Sequence, residues 1–138
     1  MGTESLHPSG YRRQPIILLI EDERAIAALV EESLQQSGYR VVTASDGLEG
    51  LARIQDIEPD IVICDRMMPS MTGSELLERL RSIYPQYKTL PFIFLTALTD
   101  TQDKLAVDHL KPYAYLEKPV NFDVLEQTIE QALETAVA

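Results

Sequence analysis

The sequence predicts an α/β fold, a doubly wound five-stranded parallel sheet in the order 2-1-3-4-5 with helices on both faces. Short apolar runs alternate five times with segments whose apolar residues recur at helical spacing. The runs are rich in β-branched residues and apolar on both faces, which is typical of strands buried in a parallel sheet. Successive parallel strands require crossover connections, and the intervening helices supply them.

The five strands are predicted at the apolar runs, which are residues 16–20, 40–44, 60–64, 91–95 and 113–116. The length of 138 residues fits one compact domain. Residues 1–14 contain Gly and Pro but no apolar period, so they are predicted to form a flexible N-terminal tail. The domain is therefore assigned to residues 15–138.

The helices are predicted from apolar stripes and from polar residues that can cap a first turn. Gly38 ends the first predicted helix, because glycine commonly follows a helix C-terminus. Glutamates three residues after Asp46 and Thr72 predict capping boxes for the second and third helices. Asp100 begins a weaker fourth helix, and Asn121 caps a strongly amphipathic fifth.

Composition excludes several classes of function. Twelve Lys and Arg stand against 22 Asp and Glu, and the net charge of −10 disfavours nucleic acid and anionic membranes as partners. The single cysteine excludes a disulfide framework and a multi-cysteine zinc site. The longest apolar run is too short to span a membrane, and no apolar signal segment opens the chain. A cytoplasmic location is therefore expected.

Polar residues follow four of the predicted strands, at the edge where ligands bind in doubly wound sheets. These residues are Glu21, Asp22, Glu23, Asp65, Thr96 and Lys118. Glu23 also fits the ordinary preference of a helix N-terminus for anions. Clustered carboxylates repel one another unless a cation lies among them, and Mg²⁺ prefers such oxygen ligands. A lysine facing them suits a phosphoryl group.

Other motifs at this edge are excluded. No glycine-rich phosphate-binding loop follows the first strand. Arg66 and Met67 follow Asp65, so the chain does not resemble the Asp-x-Asp of haloacid-dehalogenase-type phosphatases. His7 and His109 have no partner at metal-ligand spacing and are predicted to lie at the surface.

Four dispersed segments resemble one known family, the receiver domain of two-component response regulators. They are ILLIEDE (17–23), DIVICDRMMPSMTG (60–73), FLTA (94–97) and YLEKP (115–119). Order and spacing also agree, and the resemblance runs from about residue 16 to residue 134. It implies the CheY-like arrangement of the flavodoxin-like fold. It also implies a signalling phosphoacceptor, active in its own phosphorylation and dephosphorylation but not an enzyme on other substrates.

The resemblance implies a role for each site residue. Asp65 is the phosphoacceptor, and Asp22 and Asp65 bind Mg²⁺, or alternatively Mn²⁺, with Glu21 acting largely through water. The backbone carbonyl of Met67 completes the protein ligands of the metal. The resemblance also makes Thr96 and Lys118 catalytic residues, with the Thr96 hydroxyl binding the phosphoryl group. Thr96 and Tyr115 are the switch residues, and Tyr115 is the aromatic that turns inward. A cis peptide bond is expected between Lys118 and Pro119.

The resemblance also implies partners. The phosphoryl group is expected to come from a sensor histidine kinase or a histidine phosphotransfer protein, and the output is a contact with an unidentified protein target. Alternatives are a receiver piece of a hybrid kinase or multidomain regulator, and a non-phosphorylated pseudo-receiver that acts as a binding module. A stripe of Glu126, Glu130 and Glu134 suggests a basic partner or a solvated face. Receivers that dimerise through their fourth helix, fifth strand and fifth helix often carry a mixed-charge face with basic residues on the fifth helix. This chain lacks those basic residues, so a monomer is expected.

Two apolar residues depart from the polar side chains that many relatives carry beside the site. They are Met67, two residues after Asp65, and Leu98, two residues after Thr96. Neither can orient a water molecule with a strong hydrogen bond. A long-lived acyl phosphate is one interpretation, and simple packing at the edge of the site is the other.

Overall fold

A computed structural model describes residues 13–68, 70–97 and 108–137. The five strands form one parallel sheet in the order β2-β1-β3-β4-β5, which confirms the predicted doubly wound topology. Their bounds are β1 Ile16–Ile20, β2 Arg40–Ala44, β3 Ile61–Asp65, β4 Phe92–Thr96 and β5 Ala114–Glu117.

The last three strands begin and end one residue later than the sequence predicts. Pro91 has no N–H to donate to a sheet, which favours a start at Phe92 for β4. Asp60 contacts Ile16 through both backbone and side chain, since its N–H donates to the Ile16 carbonyl and its Oδ2 accepts from the N–H of Ile16, both at 2.8 Å. The shift places Asp65 and Thr96 at the ends of β3 and β4, where the sheet still fixes their backbones.

Four helices occur in the described part of the chain: α1 Arg24–Gln36, α2 Gly47–Ile57, α3 Gly73–Ile83 and α4 Phe122–Val137. The label α4 therefore belongs to the helix that the sequence predicts fifth. The predicted helix opening at Asp100 lies outside the described residues until a short 3₁₀ turn, Asp108–Leu110. A second 3₁₀ turn, Pro85–Tyr87, follows α3.

The sheet separates two apolar cores. Helices α2 and α3 cover one face, where Leu76, Leu77 and Leu80 pack with Phe92 and Phe94. Helices α1 and α4 cover the other face, with a buried set that includes Val30, Leu34, Leu125, Ile129 and Leu133. Because both faces are covered, all residues of β3 and β4 are buried, as the apolar runs predict.

Most capping predictions are confirmed. Thr72 and Glu75 form a reciprocal capping box, and Asn121 Oδ1 accepts from the N–H of Val124 at 3.1 Å. Asp46 caps α2, but the Glu49 carboxylate accepts from the N–H of Ser45 rather than from that of Asp46. The capping box predicted at Asp46 is therefore incomplete. The Ser45 hydroxyl also donates to the Glu49 carboxylate, which explains why Glu49 bonds to Ser45 and not to the N–H of Asp46.

Two segments make contacts that the sequence does not predict. Arg13, which lies in the predicted tail, forms a bidentate ion pair with Asp60, with N–O distances of 2.8 and 2.6 Å. The glutamate stripe of α4 lies on the side facing α1, since the Ser37 hydroxyl donates to Glu126. Burial, and then the charges of all three glutamates, raise the pKa of Tyr39.

Within the described residues, every helix is too short or too polar to cross a bilayer.

Candidate functional site

The register of the sheet brings the predicted site residues to one edge. Ile20 lies opposite Cys64 in the β1–β3 pair, so the next residues along these strands, Glu21 and Asp65, are neighbours. Thr96 ends β4 on the other side of β3, and its carbonyl accepts from the N–H of Lys118 at 2.8 Å. Residues at the carboxyl ends of four strands, β1, β3, β4 and β5, therefore lie at one site, as the doubly wound topology predicts.

Three carboxylates meet at this edge. Oxygen atoms of Glu21, Asp22 and Asp65 lie within 4.8 Å of one another. Glu21 and Asp65 are buried, with exposed fractions of 3% and 6%, whereas Asp22 is exposed. We call the set of Glu21, Asp22, Asp65, Thr96 and Lys118 the acidic rim. The acids are open to solvent on the side of Asp22, which leaves a path by which ligands can approach.

Lys118 supplies the positive charge of the acidic rim. Its Nζ lies 3.0 Å from Oδ2 of Asp65 and 3.4 Å from Oε1 of Glu21. Partial burial alone would lower the pKa of Lys118, but the hydrogen bond and charge of Asp65, with those of Glu21, raise it overall. The peptide bond between Lys118 and Pro119 is cis, as the resemblance implies.

Glu21 carries the clearest electrostatic cost of the rim. Burial raises the pKa of its carboxyl from 4.5 to about 7, and the charge of Asp65 adds to this shift. The N–H of Glu23, which donates to Oε2 of Glu21 at 3.2 Å, opposes the shift, as does the charge of Lys118. One lysine therefore does not fully compensate the clustered acids.

Thr96 and Met67 complete the surroundings of Asp65. The Thr96 side chain is buried, with 1% exposed, and its Oγ1 has no hydrogen-bond partner among the described residues. A buried hydroxyl without a protein partner is uncommon, and that of Thr96 can donate to a ligand oxygen at this edge. The N–H of Met67 donates to Oδ1 of Asp65 at 3.4 Å, while its side chain is 62% exposed. Leu98 lies outside the described residues.

Tyr115 lies on β5 beside the rim. Its ring stacks on Phe94, with centroids 5.7 Å apart and an interplanar angle of 15°. Its hydroxyl donates to Oδ1 of Asp108 at 2.8 Å. Burial, followed by this hydrogen bond and the charge of Asp108, raises the pKa of Tyr115.

Two residues near the site were missed by sequence reasoning. Arg66 follows Asp65 directly, is only 5% exposed, and places its guanidinium 5.7 Å from the centroid of Phe94. Its Nη2 donates to the Ser74 hydroxyl at 2.9 Å. Asp108 is the second, through its bond to Tyr115. An arginine after an apolar strand normally predicts an exposed end, so the sequence carried no signal for this burial.

The residues of the rim fit a hard divalent cation. Three carboxylates with oxygens this close repel one another, and all their donor atoms are oxygens, the ligand type that Mg²⁺ prefers. Glu21, Asp22 and Asp65 would hold the ion at the solvent-facing side of the rim.

An open parallel α/β sheet with an acidic cluster and a lysine at its carboxyl edge defines a class of phosphoryl-accepting domains. A model of the response regulator receiver domain matches residues 17–130. The chain belongs to this family, and it is a receiver domain of two-component signal transduction.

Curated relatives are longer proteins. The transcriptional regulatory protein AfsQ1 of Streptomyces coelicolor is 37% identical over 119 residues, which cover 86% of this chain and 51% of that protein. Hybrid signal transduction histidine kinase D of Dictyostelium discoideum is 36% identical over 112 residues, covering 81% of this chain and 7% of that protein. The chain thus spans about half of one relative and a small part of the other.

Solved structures of similar length agree closely with the fold. A putative response regulator from Chloroflexus aurantiacus has a TM-score of 0.82 at 33% identity, covering 88% of this chain and 98% of that one. The chemotaxis response regulator CheY4 of Vibrio cholerae has a TM-score of 0.80 at 34% identity, covering 87% and 99% respectively.

Proposed function

We propose that this chain accepts a phosphoryl group on Asp65 from a histidine kinase or a histidine phosphotransfer protein, in a Mg²⁺-dependent reaction. The observation that carries the proposal is the rim itself. A buried carboxylate lies 3.0 Å from a lysine ammonium, beside two further acids and a buried hydroxyl without a partner among the described residues.

In the proposed reaction, one oxygen of Asp65 attacks the phosphorus atom of the donor and forms an acyl phosphate. The bond between phosphorus and the donor nitrogen breaks, and the electron pair stays with that nitrogen. Lys118 carries its positive charge beside Asp65 and stabilises the negative charge on the transferred oxygens. The Thr96 hydroxyl donates to one of these oxygens and thereby gains the partner that it lacks.

Mg²⁺, or Mn²⁺ in its place, would be held by Glu21, Asp22, Asp65 and the Met67 carbonyl, and when bound it neutralises charge on the phosphoryl group. Glu21, the most deeply buried of the three acids, contacts Lys118 and the N–H of Glu23. We therefore expect Glu21 to tune the charge of the site and to act on the ion through water.

The proposed output is a protein contact, switched by Thr96 and Tyr115, with the chain acting as a signalling phosphoacceptor rather than an enzyme on other substrates. Its net charge of −10 makes contact of these residues with nucleic acid or an anionic membrane unfavourable. A monomeric state and a cytoplasmic location are part of the same proposal, as is the division into a tail at 1–14 and a domain at 15–138.

The test is incubation with acetyl phosphate, with and without Mg²⁺, followed by intact-mass measurement. We expect the wild type to gain the mass of one phosphoryl group only when Mg²⁺ is present, and Asp65→Asn to gain none, because an amide is a poor nucleophile. Asp56→Asn is the matched control, since Asp56 is an exposed aspartate near the end of α2. A phosphoryl adduct that persists in Asp65→Asn contradicts the assignment of Asp65 as the acceptor. A wild type that gains no adduct with Mg²⁺ present favours a pseudo-receiver.

A further inference from the structure

The hydroxyl of Tyr115 is held by a carboxylate outside the acidic rim. It donates to Oδ1 of Asp108 over 2.8 Å, a normal length for an O–H···O hydrogen bond. The two residues are separated by seven positions in the chain, and no local secondary structure obliges them to meet. The contact therefore depends on where the turn carrying Asp108 is anchored.

That turn is anchored from the opposite side by Arg81. The 3₁₀ turn Asp108–Leu110 closes with a hydrogen bond from the N–H of Lys111 to the carbonyl of Asp108 at 3.0 Å. Arg81 Nε donates to the Leu110 carbonyl at 2.8 Å, and its Nη2 donates to the Lys111 carbonyl at 3.2 Å. Asp108 thus projects from a segment that α3 fixes in place, so its carboxylate is a defined acceptor.

The ring of Tyr115 lies between this acceptor and the site. It stacks on Phe94, a buried residue two positions before Thr96 on β4. In the structure the hydroxyl is bonded to Asp108 while Thr96 Oγ1 has no partner among the described residues. In this structure the Tyr115 hydroxyl is therefore held by Asp108, which is not part of the acidic rim.

We propose that Asp108 is a positioning residue that holds Tyr115 in the resting orientation and opposes its inward turn. The proposal rests on the proposed function, in which Tyr115 is the switch aromatic. The phosphorylated site favours the inward orientation, and every inward turn breaks the bond to Asp108. The bond therefore lowers the population of the inward state in the unphosphorylated protein.

The consequence is a measurable change in ligand affinity. A ligand that binds the inward state binds more tightly when the competing resting state loses a stabilising contact. Removing one net hydrogen bond of this kind shifts the equilibrium by about threefold to tenfold. We expect Asp108→Ala to lower the half-saturating concentration of beryllofluoride, a stand-in for the phosphoryl group, by that factor.

The experiment is an NMR titration of the full chain with beryllofluoride in excess Mg²⁺, following the Thr96 amide and the Tyr115 ring. Asp108→Ala should also move the ligand-free Tyr115 ring signals toward their bound positions, which a merely structural role would not do. Asp108→Asn keeps an acceptor oxygen in a nearly identical shape, and we expect it to fall between the wild type and Asp108→Ala.

A double-mutant cycle isolates the contact. Tyr115→Phe removes the donor and keeps the ring, so Asp108→Ala should have no further effect on affinity in the Tyr115→Phe background. An unchanged or higher half-saturating concentration in Asp108→Ala, or an equal effect in both backgrounds, overturns the proposal. If beryllofluoride leaves the wild-type spectrum unchanged, the proposed function itself fails, and the two failures are thus distinguishable.

Discussion

A cation meets several oxygen atoms at both ends of the sheet, with opposite consequences. At the carboxyl edge, Lys118 lies among the carboxylates of the acidic rim, 3.0 Å from Asp65. At the other edge, the Arg81 guanidinium donates to four backbone carbonyls, which belong to Tyr87, Leu90, Leu110 and Lys111. We call this second arrangement the Arg81 clamp.

The two regions differ in how completely their polar groups are satisfied. In the Arg81 clamp, the guanidinium nitrogens lie 2.8 to 3.2 Å from the oxygens of neutral carbonyls. Burial lowers the pKa of the arginine. In the acidic rim, burial and the neighbouring acid raise the pKa of Glu21 to about 7, and Thr96 Oγ1 has no partner among the described residues. The clamp therefore stabilises the fold, whereas the rim carries an electrostatic cost that its one lysine does not fully compensate.

The largest effect on stability should come from the clamp. Arg81→Met removes every donor while keeping an apolar stem, so four carbonyls that link α3 to two loops lose their partner. We expect the free energy of unfolding to fall by about 2–4 kcal/mol, measured by urea denaturation. Arg79→Met, on the exposed side of the same helix, is the matched control and should change little. Equal losses of unfolding free energy in Arg81→Met and Arg79→Met would contradict a special stabilising role of the clamp.

An intermediate effect of opposite sign should come from the rim. With a folded-state pKa near 7 against an ordinary value of 4.5, Glu21 keeps its proton in the folded protein over a range where the unfolded chain has lost it. Wild-type stability therefore falls as pH rises from about 4.5 to about 7 through this group. Glu21→Gln has no such proton to lose.

In metal-free buffer, the Glu21→Gln variant should match the wild type near pH 5 and exceed it near pH 8, by on the order of 1–3 kcal/mol. Denaturation at several pH values with a chelator present measures this difference. Mg²⁺ should narrow it, because the ion stabilises the ionised carboxylate. A Glu21→Gln variant that is less stable than the wild type at pH 8 would contradict this prediction. It would show that the surroundings stabilise the ionised Glu21 carboxylate, as the four carbonyls stabilise the charge of Arg81.

The smallest effect concerns the lifetime of the acyl phosphate. The side chain of Met67 is 62% exposed beside the proposed phosphoacceptor, and a thioether orients water poorly. Met67→Asn should speed dephosphorylation in Mg²⁺ by about fivefold, the effect of one net hydrogen bond to the attacking water. Met67→Leu keeps the apolar bulk and should leave the rate unchanged. A similar rate in both variants would retain only the packing interpretation of Met67.

The sequence predicted the fold and the members of the rim because both depend on strong, local signals. Buried parallel strands read as apolar runs, and the end of each run marks the carboxyl edge. This is why Asp65 and Lys118 could be placed together before any geometry was known. The one-residue shift of three strands did not matter, since the polar residues remain at the same edge.

The Arg81 clamp and the bond between Tyr115 and Asp108 could not be predicted. Arg81 lies in the last turn of α3, where a basic residue is ordinary at a helix C-terminus. Its acceptors are backbone carbonyls, which leave no trace in the sequence. The direction of the α4 glutamates was missed for a related reason, since a stripe on a helix does not tell which neighbour it faces.

The central claim is that the acidic rim is an incomplete site that a divalent cation and a phosphoryl group complete. The most direct test is the NMR spectrum of the wild type with beryllofluoride, recorded with and without Mg²⁺. The account predicts that the resonances of Thr96, Tyr115 and Lys118 shift only when both are present, and that Asp65→Asn shows no such shift. A wild-type spectrum that stays unchanged in the presence of both would contradict the account.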